Sequence, residues 1–342
     1  MNTDLEFVAR SIVAEGKGIF AADETPGALT RRFSANRIDS TPETRRAFRE
    51  LLFTTPGIAD YIGGVILQDE TIRQSSSVRI PLPALLSRRG IVPGIKVDLG
   101  TTPLAGTSGE LITEGLDGLG ARLDAYHALG AHFAEWRAVI LVDDRLPSAT
   151  AVRANAQALA CYAAVCQSRG ILPIVAPEVL LDGCCGIDRA EAVTGDVLHA
   201  VFDALHAQHV ALEGMLLKPN MVVAGTACPT PARPERVALS TVRCLRRHVP
   251  PAVPGIVFLS SGQECVVATR QLNLIKQLAD DSPWALSFSY GRALQDDALI
   301  TWRGREENAS AAQRAFSHRA RCASAASVGI YSSKMEAASS AA

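Results

Sequence analysis

The sequence lacks an excess of charge of either sign. Its 342 residues carry 34 lysines and arginines against 35 aspartates and glutamates. A balanced net charge gives no indication that the chain binds nucleic acid or an acidic membrane surface. The composition therefore argues against nucleic acid and membranes as partners, and we expect the ligand to be a small molecule bound in a pocket.

Long apolar runs are also missing. No uninterrupted apolar stretch could span a bilayer, and residues 1–6 are neither basic nor followed by an apolar run of the kind found in signal peptides. We therefore expect a cytoplasmic protein. No low-complexity linker divides the chain, and its 48% hydrophobic content is ample for one sizeable core.

The eight cysteines lack the arrangement of a disulfide framework or a metal site. A chain of this length and apolar content does not need covalent cross-links. The adjacent pair Cys184 and Cys185 has no second close pair and no histidine at zinc spacing. His206 and His209 fall in a predicted surface helix and are equally weak candidates. The sequence thus predicts no metal and no cofactor.

Eight short β-rich runs recur along the chain, and each ends in polar or charged residues. They start 29 to 44 residues apart, which leaves room for one helix and two loops between successive strands. Near-continuous apolar strands that alternate with helices indicate a parallel sheet covered on its outer face. The runs are residues 17–23, 61–70, 91–98, 131–137, 171–178, 213–220, 255–262 and 284–292.

Helix signals separate these runs. The segment Ser40-Thr41-Pro42-Glu43 is a capping-box pattern ahead of a helix over 45–53. Ser148 can cap an alanine-rich helix that stops at Gly170. Further helices are predicted over residues 234–248 and 306–321.

Eight strands, each followed by a helix, predict an α/β fold: a closed (β/α)₈ TIM barrel over residues 1–322, with an N-terminal helical extension. Residues 323–342 are rich in alanine and serine and are expected to form a mobile tail. The rival is an open doubly wound sheet. That fold normally has a glycine-rich phosphate turn after its first strand, and residues 23–27 do not form one.

Lys218 ends an apolar strand and is followed directly by a proline. An amine that leaves an apolar wall is partly desolvated, which favours its neutral form and makes it a nucleophile. The alternative is a lysine whose aliphatic stem covers the strand end while its ammonium reaches water. This segment leaves both interpretations open, and the other strand ends decide between them.

In a barrel of this kind, the strand ends and loops of the C-terminal face hold the chemistry. Loops 260–263 and 289–292 close the last two strands, where barrels frequently bind phosphate through backbone N–H groups. Arg292 adds a planar donor for phosphate oxygens. A Ser-Gly pair after a strand is otherwise an ordinary turn. The strand-end candidates are Asp23, Glu24, Lys96, Asp98, Glu135, Arg137, Glu178, Lys218, Asn220, Ser260, Ser261, Ser289 and Arg292.

A nucleophilic lysine, carboxylates and a phosphate site together describe imine chemistry on a phosphorylated carbonyl compound. The neutral amine attacks a ketone, and the protonated imine then accepts the electrons of the breaking carbon–carbon bond. We expect Lys96 and Arg137 to favour the neutral form of Lys218 by like-charge repulsion. A carboxylate must carry the protons. This scheme requires no metal.

Six motifs stand in order along the chain: residues 18–24 (GIFAADE), 94–98 (GIKVD), 103–107 (PLAGT), 115–119 (GLDGL), 216–221 (LLKPNM) and 288–294 (FSYGRAL). In this order they resemble the class I (Schiff-base) fructose-1,6-bisphosphate aldolases, and the resemblance runs from about residue 17 to about residue 331. It implies reversible cleavage of fructose 1,6-bisphosphate to dihydroxyacetone phosphate and glyceraldehyde 3-phosphate. It also implies a role in glycolysis and a homotetramer.

The resemblance implies a role for each matching position. Lys218 matches the imine-forming lysine, and Asp23 matches an active-site carboxylate. Lys96, with Thr25 and Arg32, would face the second phosphate. The C1 phosphate would bind at the last two strand ends, and two further residues match other parts of the active site. By resemblance the phosphate set is Ser260, Ser261, Gly291 and Arg292, and the other set is Arg137 and Glu178. Ser289 joins the predicted phosphate site because its loop closes the last strand.

Two positions depart from the family pattern. Glu135 stands where the family normally has a lysine that helps bind the anionic and C4-hydroxyl region of the substrate. Ala176 replaces the first of two glutamates around a proline, which is the family's main proton shuttle. The family member best known for rapid turnover also ends in a tyrosine that protonates the enamine. This chain ends in two alanines, which leaves Tyr331 as the candidate substitute.

These departures allow two interpretations. Glu135 has taken over the proton transfer from the neighbouring strand, and the pocket holds a bisphosphate less well. Alternatively, the barrel is an impaired paralogue that binds sugar phosphates or acts as a scaffold. Losing a general acid or base typically costs about 10²- to 10⁴-fold in rate, so we expect a slow or substrate-altered aldolase.

Overall fold

The computed structural model of the chain describes residues 2–143, 145–181, 183–260 and 262–337. The strands are β1 (Gly18–Ala21), β2 (Ile62–Leu67), β3 (Val92–Lys96), β4 (Thr101–Pro103), β5 (Leu111–Thr113), β6 (Phe133–Leu141), β7 (Leu172–Leu180), β8 (Leu216–Leu217), β9 (Gly255–Phe258) and β10 (Ala285–Tyr290). Eight of them pair in parallel and close into a barrel in the order β1-β10-β9-β8-β7-β6-β3-β2. Strands β4 and β5 form a separate antiparallel ribbon. The predicted (β/α)₈ barrel is confirmed.

Helices cover the outside of the barrel and its N-terminal end. In the part of the chain that the structure describes, no helix is both long and apolar enough to cross a bilayer. The helices are α1 (Asn2–Ile12), α2 (Pro26–Ala35), α3 (Pro42–Phe53), α4 (Asp69–Ile72), α5 (Leu82–Ser87), α6 (Leu119–Ala128), α7 (Ala149–Ser168), α8 (Ile187–Ala207), α9 (Pro234–His248), α10 (Cys265–Leu278), α11 (Arg292–Trp302), α12 (Ala309–Ser327) and α13 (Lys334–Ala337), with 3₁₀ turns at Ile58–Asp60, Leu212–Gly214 and Glu306–Asn308.

Two helix starts were predicted from capping residues, and the structure confirms one and shifts the other by one residue. Ser148 caps α7 as predicted, because its hydroxyl accepts from the backbone N–H of Ala151. The capping box of α3 is displaced by one residue from the predicted pattern. Thr41 is the cap, and its partner is Thr44, which bonds back to the Thr41 N–H. The hydroxyls of Thr41 and Thr44 each accept one of the two bonds that a Ser-x-x-Glu box would make.

Strand β8 is much shorter than the run predicted at residues 213–220, the sixth of the eight predicted runs. Only Leu216 and Leu217 form β8, because the 3₁₀ turn Leu212–Gly214 comes before it and Pro219 lacks the N–H that a ladder needs. Lys218 follows directly, and its N–H donates to the Val175 carbonyl. The nucleophile candidate is therefore held at the rim by a backbone hydrogen bond to the neighbouring strand β7.

Helix α1 closes the N-terminal end of the barrel. Its residues Leu5, Ala9 and Ile12 pack into the same buried cluster as interior residues of the strands, such as Leu172 and Leu216. The predicted N-terminal helical extension is thus part of the core. Among the described residues, these apolar side chains close the interior of the barrel at its N-terminal end.

Gly63 lets α1 sit this close to the barrel. A Cβ at this position would lie 2.2 Å from the Ile12 carbonyl oxygen, so we expect Gly63→Ala to destabilise the fold by about 1–3 kcal/mol through overpacking. Gly27→Ala is the matched control, since nothing lies within 4 Å of a Cβ there, and alanine in a helix is favoured by up to about 1 kcal/mol. Urea unfolding measures both variants. Equal midpoints would show that α1 can move without cost.

The tail prediction for residues 323–342 requires correction. Helix α12 continues to Ser327, and Ala323, Ala325 and Ala326 are buried. Tyr331 is also buried, and its N–H donates to Asn273 on α10. Alanine suits these positions because it lets helices approach closely at little entropic cost. The chain is thus packed as far as Tyr331, and Glu336 on α13 pairs with Arg319 on α12. Residues 338–342 lie outside the described part.

Candidate active site

A cleft of about 330 Å³ opens at the C-terminal ends of the strands. Every strand-end candidate proposed from sequence contributes to it except Asp98, Asn220 and Ser261. Asp98 and Asn220 lie beside the rim in supporting contacts, and Ser261 lies outside the described residues. The cleft is lined by Ala21, Asp23, Glu24, Thr25, Ala28, Lys96, Glu135, Arg137, Glu178, Lys218, Leu259, Ser260, Gly262, Ser289, Gly291 and Arg292.

The period of the β-strand explains why these side chains meet. Side chains two residues apart along a strand point to the same face. Phe133, Ile174 and Leu216 belong to the apolar cluster inside the barrel. Two residues further along each strand lie Glu135, Ala176 and Lys218, so all three are directed inward. The apolar interior thus forms the floor of the cleft, and the polar side chains form the layer above it.

Lys218 and Glu135 form a buried ion pair at this floor. The Nζ of Lys218 lies 2.7 Å from Oε1 of Glu135, and their side chains are only 7% and 2% exposed. Sequence reasoning expected cations to flank Lys218, but both of those cations have other partners. Lys96 pairs with Asp98, and Arg137 donates to Oε2 of Glu178 at 3.0 Å. The nearest charge is thus a carboxylate, which can both stabilise the ammonium and accept its proton.

Glu135 is poised to hold a proton. Burial raises its pKa, as does the negative charge of Asp23, while the positive charges of Lys218 and Lys96 act in the opposite direction. Its second oxygen, Oε2, is buried and has no hydrogen-bond partner in the described part of the chain. A buried polar atom without a partner is unusual in a native structure. It leaves Oε2 available to a substrate hydroxyl or a water.

Lys96 supplies a persistent positive charge beside this pair. Burial lowers its pKa, but the carboxylates of Asp98, Glu135 and Asp23 outweigh burial and raise the pKa overall. In the barrel, Lys96 stands level with Glu135 on the adjacent strand. The arrangement places a cation within the cleft for an anionic ligand group.

Ala176 leaves a methyl group where the family carries a carboxylate. It is fully buried on β7 and stands level with Arg137 in the ladder, whereas Glu135 stands level with Ile174. Glu178, two residues further on, keeps its place in the cleft. In place of a carboxyl at position 176 of β7, the barrel thus has the carboxyl of Glu135 on β6. Glu135 lies level with residue 174, two residues deeper in the barrel than residue 176.

The last two strands end in groups suited to phosphate. Gly291 precedes α11, and Arg292 begins it, so backbone N–H groups at a helix N-terminus face the cleft next to a guanidinium. The Ser289 hydroxyl is buried without a partner among the described residues. Ser260 and Gly262 line the same side. These groups form a candidate phosphate site.

Two residues expected at the second phosphate have structural roles here. Thr25 lines the cleft, but its hydroxyl accepts from the Ala28 N–H and caps α2. Arg32 is not among the residues that line the cleft. Its guanidinium binds Oε2 of Glu24 at 2.6 Å and also pairs with Asp296. The structure therefore uses Arg32 to hold Glu24.

Sequence reasoning missed two residues that support this corner. Gln295 donates to Oε2 of Glu24 at 2.8 Å and accepts from Nη1 of Arg49 at 2.9 Å. Arg49 is fully buried, and burial lowers its pKa. Its position on the apolar face of α3, directly after buried Phe48, was the available signal. A buried arginine requires a polar partner. Here that partner is Gln295, which in turn holds Glu24 in the lining of the cleft.

Tyr331 does not reach the cleft. Its hydroxyl donates to Oε1 of Glu336 at 2.7 Å, and burial raises its pKa. The tyrosine is therefore held by α13, and the idea that it replaces the family's terminal tyrosine is not supported. All eight cysteines, including Cys184 and Cys185, are free thiols. The expectation of no cofactor stays a prediction.

Comparisons with known proteins agree on one family. The family model described as fructose-bisphosphate aldolase class-I matches residues 4–342. A probable fructose-bisphosphate aldolase class 1 from Xylella fastidiosa is 54% identical over 86% of this chain and 88% of its own. The cytosolic fructose-bisphosphate aldolase 6 of Arabidopsis thaliana is 51% identical over 94% and 90%. A solved fructose-bisphosphate aldolase from Plasmodium falciparum, in complex with TRAP and a small-molecule inhibitor, superposes with a TM-score of 0.95 at 44% identity, over 97% and 96% of the two chains.

Proposed function

This chain belongs to the class I fructose-bisphosphate aldolases, and from that premise we propose that Lys218 is its imine-forming nucleophile and Glu135 its proton-transfer group. The reaction is the reversible cleavage of fructose 1,6-bisphosphate to dihydroxyacetone phosphate and glyceraldehyde 3-phosphate. The observation that carries the assignment is the buried contact of 2.7 Å between Nζ of Lys218 and Oε1 of Glu135.

Glu135 has the geometry of a base for Lys218. Only the neutral amine attacks the ketone carbon, so the ammonium must first give up a proton. Oε1 is within hydrogen-bond reach and belongs to a carboxyl whose pKa is raised by burial. Transfer turns two buried charges into two neutral groups, which the apolar floor of the cleft favours.

The same carboxyl then serves the later steps. Attack gives a carbinolamine, and its hydroxyl leaves as water when Glu135 returns the proton. The protonated imine draws the electron pair of the C3–C4 bond as the C4 hydroxyl loses its proton. The unpartnered Oε2 of Glu135 is a candidate acceptor for that proton. One carboxyl thus covers steps for which the family uses the glutamate that Ala176 replaces.

The charge of the cleft bears on which ketose phosphate it prefers. Its lining holds four carboxylates and four cations, and these charges cancel: Asp23, Glu24, Glu135 and Glu178 against Lys96, Arg137, Lys218 and Arg292. A lysine at position 135 would have shifted this balance by two charges. We therefore propose that a second phosphate contributes less to binding here than in a relative with that lysine.

The double variant Glu135→Lys with Ala176→Glu tests this proposal. It returns a cation to the cleft and a carboxylate to β7. We expect it to raise kcat/KM for fructose 1,6-bisphosphate over that for fructose 1-phosphate by roughly tenfold, because a hydrogen bond to a charged group contributes about 1.5–3 kcal/mol and about 1.4 kcal/mol corresponds to tenfold. Steady-state assays with both substrates measure the ratio.

Fructose 1-phosphate is the internal control, since it lacks the second phosphate. An equal gain on both substrates would mean that position 135 serves the chemistry and not the phosphate. No gain on either would place the difference from other family members outside these two residues, and the specificity proposal would fail.

We also propose a cytoplasmic location and a homotetramer. The location rests on the Arabidopsis relative, which is named cytosolic, and on the sequence, which has no apolar run of membrane-spanning length. The tetramer rests on the family resemblance.

A further inference from the structure

A group of three metal-ligating side chains lies at the C-terminal end of the fold, apart from the residues that line the cleft. His318 and Cys322 are four residues apart on α12 and so share one face of that helix. Glu336, on α13, comes to meet them. The ligand atoms of the three residues all lie within 4.8 Å of one another. Among the residues that the structure describes, no other set of three or more meets the same test.

The spacing of these atoms fits a tetrahedral ion. Zinc bonds of about 2.3 Å to sulfur and about 2.0 Å to nitrogen and oxygen give ligand separations of roughly 3.6 Å for nitrogen to sulfur and 3.3 Å for nitrogen to oxygen. Here Nε2 of His318 lies 3.7 Å from Sγ of Cys322 and 3.5 Å from Oε2 of Glu336. The third separation, between Sγ of Cys322 and the Glu336 carboxylate, is at most 4.8 Å, so side-chain movements of up to about 1 Å would complete three of the four bonds.

The surroundings hold the carboxylate in position. Tyr331 donates to Oε1 of Glu336, and Arg319 pairs with both of its oxygens. Metal-binding carboxylates are commonly oriented by such outer hydrogen bonds. Cys322 is buried, while the His318 and Glu336 side chains are 10% and 23% exposed. The group is therefore dry on one side and open to a water molecule on the other.

We propose that His318, Cys322 and Glu336 bind one Zn²⁺ ion, with water as the fourth ligand, and that the ion fastens α13 to α12. A mixed nitrogen, sulfur and oxygen set suits zinc and disfavours Mg²⁺ and Ca²⁺, which take oxygen ligands. Burial raises the pKa of the Cys322 thiol to about 11, so binding displaces its proton into solvent. The nearby positive charge of Arg319 opposes the ion and is offset by two anionic ligands. The inference is independent of the catalytic assignments.

Cobalt titration of the full chain tests the site. One equivalent of Co²⁺ is expected to give a thiolate charge-transfer band in the near ultraviolet. Cys322→Ala should abolish the band. His318→Gln removes a ligand with less disturbance of the core, and it should weaken binding by at least the roughly 10- to 100-fold that outer-shell partners provide. Cys184→Ala is the control because Cys184 is an exposed free thiol, and its band should be unchanged.

Hydrogen exchange gives an independent readout. With Zn²⁺ at 100 times its Kd, opening of the amides in 328–337 should slow by about 100-fold, and chelator should reverse the effect, while Mg²⁺ should have none. Borohydride trapping at Lys218 should proceed equally with and without chelator. No cobalt band, a band that persists in Cys322→Ala, a band lost in Cys184→Ala, or an unchanged affinity in His318→Gln overturns the proposal.

Discussion

Replacing Lys218 by methionine is expected to lower cleavage of fructose 1,6-bisphosphate by on the order of 10⁶-fold, the scale of removing a covalent nucleophile. Methionine keeps the length of the side chain but cannot form an imine. Borohydride added with dihydroxyacetone phosphate should label Lys218 in the unmodified protein and nothing in the variant. Peptide mass spectrometry locates the label, and a coupled assay measures turnover.

The fold should survive this change. Glu135 loses its counter-charge, but burial already raises its pKa, so the carboxyl takes up a proton and becomes neutral. Lys276→Met is the matched control, because it breaks the pair between Lys276 of α10 and Asp280 just beyond that helix and should leave both turnover and labelling intact. A label on another lysine, or full labelling in Lys218→Met, would contradict the imine assignment.

Glu135→Gln is expected to reduce turnover by roughly 10²- to 10⁴-fold, the contribution of a general acid or base. Glutamine keeps the shape of the side chain and can still hydrogen-bond with Lys218, but it can neither accept nor return the proton. Trapping of the Lys218 imine should slow and persist, since the nucleophile remains. Single-turnover trapping and steady-state assays separate these two effects.

Glu191→Gln provides the control for a lost carboxylate charge. Glu191 is a partly buried glutamate paired with Arg243 between α8 and α9, and its loss should not change turnover. If turnover of the Glu135→Gln variant equals or exceeds that of the unmodified protein, then Glu135 merely holds Lys218 in its charged form. The chain would then be the impaired paralogue, whose remaining role is to bind sugar phosphates.

The two departures from the family pattern are related by the register of the barrel. Positions 135 and 176 both lie on inward-facing rows of adjacent strands, with Glu135 one pair of residues deeper than Ala176. A carboxyl can therefore change strands and still face Lys218. The sequence indicates that one carboxyl is lost and another gained, but not that the new one contacts the nucleophile.

Much of the fold could be predicted because its signals are local or periodic. Ser148 caps a helix within its own turn, and the eight apolar runs recur at intervals that a strand and a helix fill. The mobile tail predicted over residues 323–342 was wrong because the order of this segment depends on tertiary packing and not on a local or periodic signal. Residues 323–327 are alanine and serine, a composition typical of mobile segments, and only their packing against α10 and α11 makes them part of the core.

By itself, the sequence determined the barrel and, through the two-residue period of its strands, which polar side chains reach the open end. It also singled out Lys218, although the segment around this lysine left a solvent-reaching ammonium equally open, and only the other polar strand ends favoured a nucleophile. Tertiary structure alone decided the partners of those side chains. Sequence reasoning gave Lys218 two cationic neighbours, whereas in the folded protein Lys96 and Arg137 are each paired with another carboxylate, and Glu135 pairs with Lys218. The reason is physical: buried charges pair according to distance across strands that are far apart in sequence, and neither composition nor spacing along the chain encodes those distances.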